Sequence, residues 1–193
     1  MLSRTEIAHG VSGAWRLMWG DGGGLYMLDR TREGFWRSFR VMLLVAPLQV
    51  LCLMIVYDRV QTIAADSTIV LIEALRYLIE WTAFPVILLE IARLAGWRGR
   101  YIGAVVALNW ASVPVIIFST LRLAIGEVLP SGLGSALGLM LMGLFIYWLT
   151  RILREALALG FGQAFALALL NLWISITLEI VVDGIVGRLP GAT

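Results

Sequence analysis

Long apolar runs recur along almost the whole of this 193-residue chain, and they constrain the fold more than any other feature. A helix needs about 20 consecutive apolar residues to cross the hydrocarbon core of a bilayer, because each residue adds about 1.5 Å. Hydrophobic residues make up 60% of the chain, against about 45–50% in ordinary soluble domains. The sequence therefore predicts an all-α, polytopic membrane protein.

The positions of the apolar runs predict five transmembrane helices joined by short polar or glycine-containing links. The predicted spans are 39–57, 68–94, 101–121, 133–153 and 161–182. We expect them to form one five-helix bundle. The chain then divides into a cytoplasmic or interfacial segment 1–38, the transmembrane bundle 39–186 and a short external tail 187–193.

The segment before the first span has the pattern of an amphipathic helix. Ile7, Val11 and Met18 recur at helical spacing, while polar residues occupy most of the other face. Such a helix is expected to lie in the membrane interface, with aromatic rings at the level of the lipid headgroups. The alternative is a short helix docked on the bundle. The predicted interface residues are Trp15, Trp19, Phe35 and Trp36.

The placement of arginine predicts the orientation, since the chain contains no lysine. With five spans, three arginine-rich regions fall on one face: the N-terminal segment, the link between spans two and three, and the link between spans four and five. Loops rich in arginine stay in the cytoplasm. The sequence therefore predicts a bacterial inner (cytoplasmic) membrane protein with a cytoplasmic N-terminus and a periplasmic C-terminus.

The second span carries charged side chains inside an otherwise apolar run. Glu73, Arg76 and Glu80 fall within about 60° on a helical wheel, at spacings that allow ion pairs. An unpaired charge at the bilayer centre costs about 2.5–3.5 kcal/mol on insertion scales, so this stripe should face protein or water. The third and fifth spans also carry charged residues, near the ends that lie on the same side of the membrane. The predicted intramembrane polar cluster is Glu73, Arg76, Glu80, Arg122, Glu179 and Asp183.

This cluster has three interpretations. It is a proton or ion relay or a binding site, because charges within the membrane mark such sites. Alternatively, it is a set of ion pairs that holds helices together, or the helix starts further in and leaves the first charges among the headgroups. Asn109 and Asn171 are expected to form hydrogen bonds between helices.

Sequence signatures of catalysis are lacking. The chain has one histidine, His9, and one cysteine, Cys52, which makes a His/Cys metal site improbable. It contains no HExxH, GxSxG, Walker or CxxC motif. We expect no enzymatic activity, no catalytic residues and no metal or other cofactor. The net charge of +2 is too small and too dispersed to indicate nucleic-acid binding.

Two patches in the second half of the chain have a recognisable pattern. In ARLAGWRGRYIGAVVALNWASVP a glycine-rich basic turn precedes a span with a small polar residue shortly before a proline, and YWLTRILREALALGFGQAFALALL combines Leu–Arg–Glu with small residues at the entry to the last span. The residues of this pattern are Gly96, Gly99, Arg100, Ser112, Pro114, Leu153, Arg154, Glu155, Gly160, Gly162 and Ala164. The two patches resemble the link before the third span and the fourth loop and fifth-span entry of Yip1-domain membrane proteins. The resemblance covers about 45–193 and implies a five-helix bundle.

Two functions follow from these features. The first is a non-enzymatic scaffold or accessory factor in membrane organisation or in a membrane complex, with the lipid bilayer and other membrane-protein subunits as partners. The second is a small transporter or channel that uses the intramembrane Glu/Arg cluster. The second function requires a water-accessible path to Glu80.

Overall fold

The computed structural model describes residues 2–60, 66–126 and 128–186, and the secondary structure in this part of the chain is entirely helical. Two short 3₁₀ segments, Gly22–Met27 and Arg98–Arg100, lie between α-helices. The predicted external tail 187–193 lies outside the described residues. The α-helices are α1 Arg4–Met18, α2 Arg32–Ser38, α3 Val41–Val60, α4 Asp66–Leu94, α5 Tyr101–Gly126, α6 Ser131–Leu157 and α7 Phe161–Val186.

Four stretches of the described chain are helical, long and apolar enough to cross a membrane, which indicates a membrane protein. Helix α4 is also long enough, with 29 residues, but charged side chains interrupt it. The all-helical class is thus confirmed. The four stretches are Arg32–Val56, Arg98–Gly126, Gly132–Leu157 and Phe161–Val186.

Helix α5 is the central element of the bundle. It packs against α3 and α6 along its length, while α7 packs against α6 and α4. Small residues at Gly103, Ala104, Ala107 and Ala111 are buried in α5, and such residues let neighbouring backbones approach closely in membranes. Helices α3, α4, α6 and α7 expose large apolar side chains on their outer faces, as contact with lipid requires.

Two side-chain hydrogen bonds hold α4 against its neighbours. The Tyr77 hydroxyl donates to the Met42 carbonyl oxygen in α3 at 2.6 Å. The Tyr101 hydroxyl of α5 donates to the Pro85 carbonyl oxygen at 3.0 Å in a buried position. Helix α4 otherwise packs only loosely on α5. The two hydrogen bonds therefore hold α4 in position while space remains between α4 and α5.

The N-terminal helix α1 docks on the bundle. Ala14, Leu17 and Met18 are completely buried and share one core with residues of α3, α5 and α6. Gly10 lies against the indole of Trp110 in α5. The structure thus shows the docked position that the sequence left as the alternative, and the location of α1 in the membrane interface stays a prediction. The physical reason for the docking is that the apolar stripe of α1 finds a protein surface to cover.

The turn after α1 depends on glycine. Gly20 has φ +82°, a left-handed conformation that glycine adopts without steric cost. An added Cβ there would also overlap the guanidinium of Arg151 in α6. The turn therefore lets the chain reverse closely over α6, so that the N-terminal segment folds back on the bundle.

Candidate intramembrane site

The charged side chains near the middle of α4 form a paired triplet. Arg76 Nε donates to Glu73 Oε2 at 2.6 Å, and Arg76 Nη1 donates to Glu80 Oε1 at 2.9 Å. The pairs span three and four residues of one helix, which places the three side chains on one face. The exposed fraction of the side chain rises from 9% for Glu73 to 14% for Arg76 and 28% for Glu80. Glu80 is therefore the member of the triplet that is most accessible.

A fourth charged group joins the triplet from α7. The Glu179 carboxylate lies close enough to Arg76 and Glu80 to interact electrostatically with both. Helices α4 and α7 pack directly against each other, so this interaction couples two elements of the bundle. The structure thus places three of the six predicted cluster residues in direct contact, with Glu179 close enough to interact with them electrostatically.

The other two predicted members are Arg122 and Asp183. No ion pair links either residue to the triplet in the described part of the chain. Asp183 lies one turn beyond Glu179, about 6 Å further along α7, and is exposed. Arg122 projects from α5, and lies beside Gly138 of α6. The meeting of all six residues therefore stays a prediction, of which the Glu73–Arg76–Glu80 triplet is the part in direct contact.

A cavity of about 900 Å³ lies between α4, α5, α6 and α7. Its wall is largely aliphatic and aromatic, and both Glu80 and Arg122 contribute to it. Short polar residues of α5, α6 and α7 also line the cavity. They are Asn109, Ser112, Ser119, Ser135, Asn171 and Ser175.

The sequence did not predict this cavity, although it contains a signal for it. Ser112, Ser119 and Arg122 repeat at helical spacing on α5, which places them on one face. Asn171, Ser175 and the more distant Glu179 do the same on α7. Polar stripes on two facing helices indicate an internal polar space, but each residue taken singly indicates only a hydrogen bond between helices.

The two predicted hydrogen-bonding asparagines have different environments. Asn109 Nδ2 donates to Ser38 Oγ at 2.9 Å, and the Ser38 hydroxyl donates to the Phe35 carbonyl oxygen at 2.7 Å. This buried pair fastens α5 to the short helix α2. Both asparagines line the cavity, and Asn171 has no such bond to α2 among the described residues.

The predicted interface aromatics are only partly exposed. Trp36 is 71% exposed and Trp19 is 53% exposed, which leaves both able to contact lipid. The rings of Trp15 and Trp19 also pack on Trp148 of α6, with centroids 5.9 and 6.1 Å away. Phe35 packs on Phe39, with ring centroids 5.2 Å apart. The packed rings therefore hold the N-terminal segment against the bundle, while the exposed ring surfaces remain able to contact lipid.

Metal-binding geometry is not seen, since no three His, Cys, Asp or Glu side chains of the described ranges are placed to share an ion. Comparison of the chain with protein-family models, with curated proteins and with solved structures finds no match. The Yip1-domain resemblance thus stays a prediction. The charged triplet and the adjoining cavity are the features from which a function can be inferred.

Proposed function

We propose that this protein binds a small molecule in the interior of the membrane and carries it, as a small transporter, through the cavity between α4, α5, α6 and α7. The observation that supports this proposal is that Glu80 lines a cavity of about 900 Å³. Glu80 is the central residue of α4, which runs from Asp66 to Leu94. A carboxylate at the centre of a membrane helix that faces an open space is typical of a substrate or ion pathway.

The size and lining of the cavity suit a ligand. Small-molecule sites usually have volumes of about 300–1,000 Å³, with apolar walls and a few convergent polar groups. Here Trp81, Phe84 and Phe145 supply aromatic surface, while Asn171 and Ser175 supply hydrogen-bonding groups. A ligand of moderate size would find both kinds of contact in one place.

The ion pair with Arg76 prepares Glu80 for this role. Arg76 Nη1 donates a hydrogen bond to Glu80 Oε1 at 2.9 Å. The carboxylate has further lone pairs that can accept hydrogen bonds from other groups. Pairing also offsets the cost of placing the charge within the membrane. Glu80 is thereby held in a fixed position, with capacity left for a ligand, a proton or water.

A scaffold or accessory role is the second candidate, and the burial of Arg76 favours it. Arg76 is 14% exposed and bonded to two carboxylates of its own helix, with Glu179 of α7 nearby. This arrangement also suits a purely structural ion-pair network between α4 and α7. In that case the cavity has no ligand, and the protein acts through contacts with other membrane-protein subunits.

Flux measurements separate the two candidates. The protein is reconstituted in liposomes, and proton and solute flux is compared for wild type, Glu80→Gln and Arg76→Gln. The matched control is Glu90→Gln, because Glu90 pairs with Arg93 of the same helix but is 57% exposed. Loss of flux in the two triplet variants, with normal flux in the control, supports transport. Unchanged flux with reduced yield or stability of the triplet variants supports the scaffold.

The proposal includes five membrane crossings, with α4 and its paired charges added to the four apolar stretches. The ion pairs of α4 lower the cost of insertion, and its 29 residues extend about 43 Å. With five crossings, the three arginine-rich regions lie together on the cytoplasmic face of a bacterial inner membrane. A tag at the C-terminus should then react with reagents added to the periplasmic side, and a reaction from the cytoplasmic side would contradict five crossings.

A further inference from the structure

Arg122 is a positive charge in the cavity wall for which the described residues provide no ionic partner. It lies in the helical stretch Arg98–Gly126, which is apolar enough to cross a membrane. Its guanidinium makes no ion pair or hydrogen bond within the described residues. A guanidinium within a membrane span is costly unless protein, water or a ligand compensates it. An anion in the cavity would provide that compensation.

The wall around Arg122 leaves room for such an anion. Gly138 of α6 faces the guanidinium, and a Cβ at this position would lie 3.3 Å from Arg122 Nη1. The absence of a side chain therefore gives the guanidinium its space. Ser119 lies one turn earlier on the same face of α5 and also lines the cavity, so its hydroxyl is placed to share the binding of an oxyanion with Arg122.

The rest of the cavity is suited to an apolar group. Trp81, Leu141 and Phe145 line it, and so does Trp148, whose Nε1 is buried without a hydrogen-bond partner in the described part of the chain. The other charge in the wall, Glu80, is already bonded to Arg76. The charge left without a partner among the described residues is therefore positive, which favours a negative group, and the apolar wall favours a hydrocarbon or ring system.

We infer that the ligand of the cavity is an amphipathic anion, with a carboxylate or phosphate bound by Arg122 and an apolar body along the aromatic wall. This inference rests on the proposed function, because it names the ligand class for the same cavity. Charge-assisted hydrogen bonds are among the stronger polar interactions. Arg122 therefore contributes both affinity and the selection of negative over positive headgroups.

Photolabelling tests this inference at the level of the site. The full-length protein in lipid nanodiscs is incubated with palmitate that carries a diazirine on its chain, irradiated, digested and mapped by mass spectrometry. We expect label on the cavity face of α6, at Leu141, Phe145 or neighbouring residues. Arg122→Gln should reduce this labelling about tenfold or more, the effect of losing a hydrogen bond to a charged group.

Two further variants control for charge and folding. Arg98→Gln removes an exposed arginine from the link before α5 and should leave labelling unchanged. Arg122→Lys keeps the positive charge and should retain much of the labelling. Melting temperature and gel-filtration profile report whether each variant is folded. Equal labelling of wild type and a folded Arg122→Gln would overturn the inference.

Competition by unlabelled compounds identifies the headgroup and separates possible sources. Dodecyl phosphate and dodecanoate should displace the label, whereas dodecanol and dodecyltrimethylammonium should not. Inorganic phosphate should also fail, and effective competition by phosphate alone would show that the apolar body is unnecessary and overturn the inference. Displacement by the cationic amphiphile alone would overturn the anion assignment while preserving a ligand-binding cavity. No cavity labelling at all would overturn this inference, whereas the proposed function is tested separately by flux through wild type and Glu80→Gln.

Discussion

Replacing Gly10 by alanine tests whether α1 is docked in the bundle. The added Cβ would approach Trp110 Cε3 to 2.6 Å, with two other ring atoms still closer, whereas carbon atoms in good contact are about 3.5–4.0 Å apart. Trp110 is only 3% exposed, so its ring cannot move without disturbing the core. Overpacking costs about 1–3 kcal/mol, and contacts this short belong at the upper end of that range, which leaves a net loss of about 2 kcal/mol after the gain of about 1 kcal/mol from replacing a helical glycine.

Thermal unfolding and proteolysis measure this effect. For a chain of this size, 1 kcal/mol corresponds to about 2–4 °C in melting temperature, so Gly10→Ala should melt several degrees lower and release its N-terminal segment to protease sooner. Gly143→Ala is the matched control, because Gly143 lies inside α6 with no atom within 4 Å of the added Cβ. It should melt as wild type or slightly higher. If both variants keep the wild-type melting temperature and protease resistance, α1 does not dock on α5.

Two further perturbations address the ion pairs and the N-terminal segment. Arg76→Met leaves two largely buried carboxylates without their shared guanidinium and should destabilise the protein by about 3–5 kcal/mol. Arg93→Met removes a partner that is 60% exposed and should cost less than about 1 kcal/mol. Denaturant unfolding measures both costs, and equal costs would contradict the burial of the triplet. Asp29 accepts hydrogen bonds from the hydroxyl and backbone N–H of Thr31, which together with Arg37 lower the pKa of its carboxyl below the usual 3.8. Its contribution to stability is complete above the unfolded pKa and is lost as the pH falls through the lower folded pKa. Melting temperature should therefore fall at acidic pH in wild type and fall less steeply in Asp29→Asn, and identical pH profiles would show that Asp29 does not contribute.

The helices were predictable because their signals are local. The apolar runs predicted the approximate bounds of the long helices. The spacing of Glu73, Arg76 and Glu80 predicted their ion pairs, because residues three or four apart on a helix are neighbours. The turn at Gly20 and the helix cap at Ser3, whose Oγ accepts from the Glu6 N–H, also have local causes. Such features follow from the sequence without knowledge of the tertiary packing.

The relative placement of helices was not predictable in the same way. Docking of α1 depends on the fit of Gly10 to Trp110, two residues far apart in the chain that only the folded bundle brings together. The separation of Arg122 from the triplet depends on the rotation of α5 about its axis, which hydropathy does not determine. The cavity depends on four helices at once. Its position therefore required the tertiary structure.

Thiol labelling of the cavity wall tests most directly whether Glu80 faces a space that opens to water. In a Cys52→Ser background, a cysteine replaces either Ser175, which lines the cavity, or Ile176, which is 42% exposed on the outer surface of α7. A charged, water-soluble methanethiosulfonate is then added to each side of sealed membrane vesicles. If the cavity opens to water, Ser175→Cys should react from at least one side of the membrane, whereas Ile176→Cys should not react. An unreactive Ser175→Cys in a folded protein would contradict the existence of an accessible cavity.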